Sequence, residues 1–309
     1  MFCRSLTFLS SASLLLSFTF ANAAVTVEKS EKGATVKIDG DLFTEYVIKA
    51  DNKPVLWPVI GPTGKPMTRA FPMVATPEDS NDHLHHRGLW FTHGSVNNVM
   101  FWNLGKNSGE VVHRKFTKLE GGETGAITAH NEWLGPDGKR VCTEDQTFRF
   151  SGDKDARIID ATLTLNATDG PLTLGDNKEG AFAVRVPDSM RVDAKKGGKI
   201  VNSQGATDGA AWGKPADWVD YHGPVGGETV GIAMLDHPSN PGHPVRWHVR
   251  TYGLFAANPF TRKAFDNSQP VGTIQVPAGE SVTFRYQVVL HAGDEKEGKI
   301  AERYSEFAK

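Results

Sequence analysis

Four of the chain's eleven histidines fall within thirteen residues, Asp82 to Gly94, DHLHHRGLWFTHG. Imidazole titrates near neutral pH and also binds metals, so such a cluster fits acid–base chemistry or a metal centre. On an extended backbone alternate residues share a face, which predicts His83 and His85 on one side and His86 on the other. An H-x-H pair of this kind can hold a divalent metal ion, with a third ligand from Asp82, His93, His237, His243 or His248. The plainer alternative is a set of imidazoles bonded to loop carbonyls at a sheet edge. Each added imidazole makes that idle arrangement harder to satisfy, because buried polar groups need partners.

Three later segments carry similar residue types: Asp176-Asn177-Lys178-Glu179-Gly180, Asp236-His237-Pro238-Ser239-Asn240 and Arg246-Trp247-His248-Val249-Arg250. In one reading these join the histidines as a catalytic set. His86 or His93 is then the general base and His237 or His248 the partner acid, with Glu179 as the alternative base. Arg87 and Arg185 are placed to hold a carboxylate or steady an enolate-like transition state. Asp176 and Lys178 add substrate contacts, unless their segment is only a solvated loop. Trp102 and Trp247, among the tryptophans near these segments, offer aromatic faces on which a sugar ring stacks, or else they fill the core. His113, His130 and His222 stand apart and read as surface or structural.

The elements that must position these groups are strands. Ile159, Ala161, Leu163 and Leu165 alternate with polar residues, as do Phe284, Tyr286, Val288 and Leu290. A period of two means strands with one buried face. Further strands are predicted at Ala34–Ile38, Phe43–Ile48, Gly88–His93, Ala181–Val186 and Val230–Leu235. Gly135-Pro136-Asp137-Gly138 marks a hairpin turn between Ile127–Leu134 and Lys139–Phe150. Helix is predicted only at Glu295–Ala308, capped by Asp294, where Ile300, Tyr304 and Phe307 form an apolar stripe. The expected fold is all-β, one large antiparallel β-sandwich over residues 24–309 with a short C-terminal helix.

Residues 1–23 read as an export signal: Arg4, then the apolar stretch Leu6 to Phe20, then Ala21-Asn22-Ala23 as a small-x-small cleavage site. A periplasmic or secreted protein is expected, with no membrane span after cleavage. Cys142 is then the single cysteine, which excludes an intramolecular disulfide and suits a small core residue. A net charge of -2 and a pI near 6.6 come with no basic stripe, so nucleic acid is not an expected partner. The chain has no G-x-S-x-G elbow, phosphate loop, dinucleotide fingerprint or H-E-x-x-H.

Arg69-Ala70-Phe71-Pro72-Met73, DHLHHRGLWFTHG with Asn97 and Phe101-Trp102, DNKEG, DHPSNPGHPVRWHVR and Tyr252–Phe260 together resemble the secreted bacterial proteins labelled "methane oxygenase PmoA family". The resemblance spans nearly all of residues 24–309, with Leu84 and Asn177 departing from its usual Pro and Thr. It adds Arg69 to the substrate-binding candidates, and its label implies a metal-dependent oxidase or oxygenase. The strand pattern is more loosely similar to galactose-mutarotase-like sandwiches, which implies His, Arg, Glu and Trp gathered on a concave sheet face to bind and deprotonate sugars.

Three readings follow: an exported lyase, epimerase or hydrolase acting on a sugar or sugar derivative; a non-catalytic carbohydrate-binding protein; or a metal-dependent oxidase. The ligand expected in the first two is a small molecule or oligosaccharide. The residues alone do not name a cofactor, and a divalent metal ion at His83 and His85 is the one they admit.

Overall fold

The computed structural model describes residues 24–309; the expected export signal lies outside the described residues. The chain opens as a meander of β1 (Val25–Ser30), β2 (Gly33–Ile38), β3 (Asp41–Ala50) and β4 (Lys53–Val59). A long connection, residues 60–88, leads to β5 (Leu89–His93), which pairs with β4. Next, β6 (Glu110–Glu120), β7 (Gly125–Leu134), β8 (Arg140–Gly152) and β9 (Ala156–Asn166) form a second antiparallel meander. The predicted hairpin turn joins β7 to β8, with Gly138 at φ +77° where a side chain would be strained.

After the short β10 (Leu172–Leu174), β11 (Gly180–Arg185) returns to the first sheet beside β5. The second sheet gains β12 (Lys199–Asn202), β13 (Trp218–Val225) and β14 (Glu228–Asp236). The first is completed by β15 (Arg246–Trp247) and β16 (Leu254–Asn258). Finally β17 (Ile274–Val276) pairs with β10, and β18 (Ser281–Ala292) slots between β14 and β9. Two eight-stranded sheets result, ordered β1-β2-β3-β4-β5-β11-β16-β15 and β12-β13-β14-β18-β9-β8-β7-β6.

The sheets pack face to face, as the alternation predicts. Phe91 meets Phe284 at 6.2 Å and Phe182 stacks on Tyr286 at 5.3 Å, so the inner faces interlock through aromatics. Cys142 is fully buried in this core, where burial pushes its thiol well above the ordinary range.

Strands β5, β11 and β16 are buried on both faces. Their second face, away from the sandwich core, carries Trp90, Ala183, Leu254 and Ala256, and with Trp102, Val47 and Val55 these form a separate apolar cluster. That outer face is the floor of the site described below.

The C-terminal helix, α1 (Ile300–Phe307), is shorter than the predicted Glu295–Ala308. Asp294 does accept the backbone N–H groups of Lys296 and Glu297, but it caps only a turn. Lys299 then takes φ +53°, which breaks the helical path before Ile300. The apolar stripe is as expected: Ile300, Tyr304 and Phe307 pack on Trp218, Ala233 and Leu235, the outer face of the second sheet.

Candidate active site

The long connection between β4 and β5 places the histidines. Arg69 is fully buried and its guanidinium is spent on this segment. It donates to the carbonyls of Phe71, Ser80, Asp82 and His83 and to the Asp82 carboxylate at 2.6 Å. Arg185, at the end of β11, reaches the same carboxylate oxygen at 3.0 Å. Burial alone would raise the Asp82 pKa, yet the two guanidiniums and His83 outweigh it and hold the group down at about 2. The carboxylate therefore stays ionised and fixes the start of the histidine run.

From Asp82 the chain makes a turn rather than the extended run expected from the sequence. The His86 N–H donates to the His83 carbonyl at 2.9 Å, and His83 takes φ +46°. A residue with a side chain pays roughly 1 kcal/mol or more for that conformation, and the two arginines supply the restraint. The predicted division of faces therefore fails. His83 stacks on His86 at 4.7 Å, and His85 lies 4.4 Å from His86 and 5.8 Å from His83. Trp90 and Trp102 lie 5.5 and 5.9 Å from His86, and the far side of His83 stacks on Tyr252 at 4.9 Å.

The DNKEG and RWHVR segments arrive at the same place. Trp247 and Val249 point into the sandwich core, so Arg246, His248 and Arg250 take the other face by alternation. The ladder to β16 continues through His248 N–H to Ala256 and Arg250 N–H to Leu254. The cleft that results, about 330 Å3, is lined by His83, His85, His86, Asn103, Lys178, Glu179, His248, Arg250 and Tyr252. That is at the small end of ligand cavities, about 300–1,000 Å3. A larger groove of about 880 Å3 runs past Asp79, Asp188 and Arg191. Asp79 there accepts the N–H groups of Ala70 and Phe71 and Asp188 binds Ser80 and Arg191, while Glu78 is exposed. The histidines lie in the smaller cleft.

Hydrogen bonds assign the tautomers there. His248 Nδ1 lies 2.8 Å from the Lys178 carbonyl, which can only accept, so Nδ1 carries the proton and Nε2 keeps its lone pair. His86 Nδ1 faces the Arg185 guanidinium at 3.3 Å, which can only donate, so in the neutral ring Nε2 carries the proton. Burial, then the neighbouring cations and imidazoles, depresses His85 to about 3 and His86 well below its ordinary value. His248 is likewise lowered by burial, while Glu179, 4.0 Å away, pulls it back up. His85, His86 and His248 are thus neutral at pH 7.

Charge in the cleft is mostly positive. Lys178 and Arg250 line it against one carboxylate, Glu179, which pairs with Lys178 at 3.1 Å. Arg185 and Arg250 also flank Tyr252, at 5.0 and 5.4 Å from its ring. Below, the fully buried Lys53 sits 5.7 Å over Trp90, and burial presses its ammonium down to about 7.

Of the residues expected to act, His83, His85, His86, Lys178, Glu179 and His248 line the cleft. Arg185 and Trp102 lie directly beneath, and Arg69 holds the histidine turn. The others lie elsewhere. Arg87 turns away to pair with Asp51. Asp176 accepts backbone N–H groups of Arg262, Lys263, Ala264 and Gly272, so it anchors a distant loop. His93 is fully buried, with Nε2 on the Gly175 carbonyl and its ring on Phe260. Trp247 is core and donates to the Ala216 carbonyl. His237 follows β14 of the other sheet and packs on Phe307 of α1. Asn103, Arg250, Tyr252 and Lys53 were not expected. Alternation with His248 carries the signal for Arg250, whereas nothing local marks Lys53.

A family model matches residues 33–305. The chain belongs to the Family of unknown function (DUF6807). That description carries no activity, so the methane-oxygenase resemblance gains no support from it. No curated protein matches the sequence. Among solved structures, the chain is similar to an α-galactosidase from Lactobacillus brevis at 10% identity and TM-score 0.41, over 88% of this chain and 40% of that one. The GH36 α-galactosidase AgaB from Geobacillus stearothermophilus gives 12% and 0.40, over 87% and 39%. The Slr1438 protein from Synechocystis sp. PCC 6803 gives 8% and 0.34, over 91% and 100%. The chain thus spans about two fifths of the length of the two glycosidases it matches. Among the described residues, no helix is long and apolar enough to cross a membrane.

Proposed function

We propose that this protein is an exported enzyme that abstracts a proton from an acidic sugar or sugar derivative. The carrying observation is the cleft itself, where neutral imidazoles, one carboxylate, its partner Lys178 and a second cation, Arg250, converge. Paired-carboxylate glycoside hydrolysis asks for two acidic side chains about 5–10 Å apart. Glu179 is the one carboxylate lining this cleft among the described residues, since Asp82 is held by arginines. Proton abstraction beside a carboxylate asks instead for a base and for cations that hold the anion formed.

His248 fits the base. The Lys178 carbonyl fixes its tautomer, leaving Nε2 to take the proton from the carbon next to the substrate carboxylate. The electron pair moves into that carboxylate as an enolate, steadied by Arg250 and Lys178. Glu179 stabilises the imidazolium that results. Collapse of the enolate then expels the oxygen substituent of the adjacent carbon, which takes the proton from the His248 imidazolium, as in a lyase. In an epimerase the enolate carbon instead takes a proton from water on the opposite face, and the imidazolium returns its proton to solvent. His86 Nε2–H serves as a hydrogen-bond donor to the substrate. The reading of residues 1–23 places this chemistry in the periplasm or outside the cell.

A panel of uronate-containing oligosaccharides, set against neutral galactosides and glucosides, tests the proposal by ultraviolet absorbance for new conjugated double bonds and by NMR for inverted centres. Turnover confined to the uronates is expected. Turnover of the neutral sugars alone overturns the reading, and tight uronate binding without turnover makes the protein a binder.

A further inference from the structure

A second polar cluster lies on the outer face of the other sheet. Asp220 and His222 project from β13 and His291 from the end of β18, all buried, and Glu295 reaches in from the turn that precedes α1. His222 Nδ1 is 2.6 Å from one Asp220 oxygen, and His291 Nε2 is 2.7 Å from the other. Glu295 Oε2 stands 3.8 Å from His222 Nδ1, is buried, and has no hydrogen-bond partner. The ligand atoms of Asp220, His222 and Glu295 lie within 4.8 Å of one another. Among the described residues this grouping, and not the His83/His85 pair, meets that condition.

We infer that Asp220, His222 and Glu295 form a binding site for a divalent transition metal such as zinc, which fastens the C-terminal segment to the sheet. One nitrogen and two carboxylate oxygens suit that class of ion. Ligands about 2.0–2.1 Å from zinc lie about 3.4 Å apart in a tetrahedron, and both the 2.6 and the 3.8 Å separations come within about 1 Å of that edge. An orphaned carboxylate oxygen in a buried position costs free energy unless something binds it, and a cation answers that cost.

The surroundings are built for such a site. His291 fixes the far oxygen of Asp220, the arrangement by which outer partners orient metal ligands. Its ring is clasped between Gly231 and Gly298, where an added Cβ would come within 2.3 and 2.5 Å of the imidazole. The His222 side chain keeps 8% of its surface exposed, so the site borders solvent. The three ligands come from two separate elements, so the ion would staple the turn at residues 294–298 to β13. This would also hold α1 over its apolar patch.

The test is zinc titration of chelator-treated full-length protein by calorimetry, with thermal unfolding measured with and without zinc. One zinc per chain is expected, together with a rise in Tm. Glu295→Gln removes a charge from a carboxylate oxygen that bonds to nothing, so it should fold as the parent does. It should lose the Tm rise and at least about 100-fold in affinity, beyond the roughly 10–100-fold typical of an outer partner. His291→Gln should fall within that smaller range, and His83→Ala/His85→Ala should bind as the parent does. The inference is overturned if the parent binds no zinc, if Glu295→Gln binds it as tightly, or if the His83/His85 variant alone loses it. None of these outcomes bears on turnover in the cleft.

Discussion

At the cleft on the first sheet, His83, His85 and His86 lie ring to ring among cations, with Arg185, Arg69 and Lys53 around them. On the outer face of the second sheet, His222 and His291 grip the two oxygens of one buried aspartate. Both clusters gather histidines over a strand-built surface, yet the partners differ. In the cleft, burial and the neighbouring cations hold His85 and His86 neutral, while the carboxylate beside His83, Asp82 at 3.1 Å, is itself held by two arginines. With Asp220 between them, the imidazoles of the second cluster are locked in place. Residue type alone does not separate a reactive histidine from a structural one; the charge beside it does.

The contrast can be broken through stability at Arg185. Arg185→Met leaves Asp82 facing the cleft with half its pairing gone and the His86 ring without its donor. A loss of about 1.5–3 kcal/mol in urea denaturation is expected, as for losing a hydrogen bond to a charged group while Asp82 keeps Arg69. Stability within about 1 kcal/mol of the parent would mean that the arginine does not hold the histidine turn.

Removing the base should act on turnover instead. His248→Ala is expected to lower kcat on a uronate substrate by about 10²–10⁴-fold, with affinity changed by less than about threefold. Equal losses in kcat and affinity would make His248 a binding group.

Acid should act on stability next. His93 and His85 are held at about 4 and about 3 in the folded chain, mainly by burial. An unfolded histidine titrates near 6.5. Between those values the unfolded chain binds protons that the folded one refuses, so stability falls as pH falls from 6.5 toward 4. The buried His93 alone accounts for about 3 kcal/mol of that loss. Urea midpoints at a series of pH values check this, and stability that rises on acidification would contradict it.

The smallest effect is expected at Glu179, whose carboxylate raises the His248 pKa. Glu179→Gln should cost about tenfold in kcat. It should also move the acid limb of the pH–rate profile to lower pH, because the imidazolium loses its stabilising neighbour. A limb displaced toward neutrality would contradict the pairing.

The sandwich was legible because alternation in β9 and β18 reports one buried face each, and because the β7–β8 turn carries its glycine. The helix was read too long because Gly298, packed against His291, and Lys299 at φ +53° interrupt it before Ile300. In the site, the three segments that meet were visible as concentrations of His, Arg, Lys and Glu. Which member of each segment faces the cleft was less visible. The turn at His83 comes from buried arginines, one of them about a hundred residues away in sequence, so the extended reading of H-x-H had no local reason to fail. Asp176 looked reactive and is consumed by backbone N–H groups of a loop far along the chain. Arg250 and Tyr252 were within reach of the period-two argument once Trp247 was placed in the core.

The most direct test of proton abstraction at this cleft is NMR of a uronate substrate incubated in D2O with the parent and with His248→Ala. With the parent, the proton on the carbon beside the carboxylate should be lost, replaced by deuterium on epimerisation or absent from the unsaturated product on elimination. His248→Ala should still bind the substrate but remove that proton far more slowly. Loss of that proton at the parent rate in His248→Ala, or turnover by the parent that leaves the original proton on that carbon, would contradict the account.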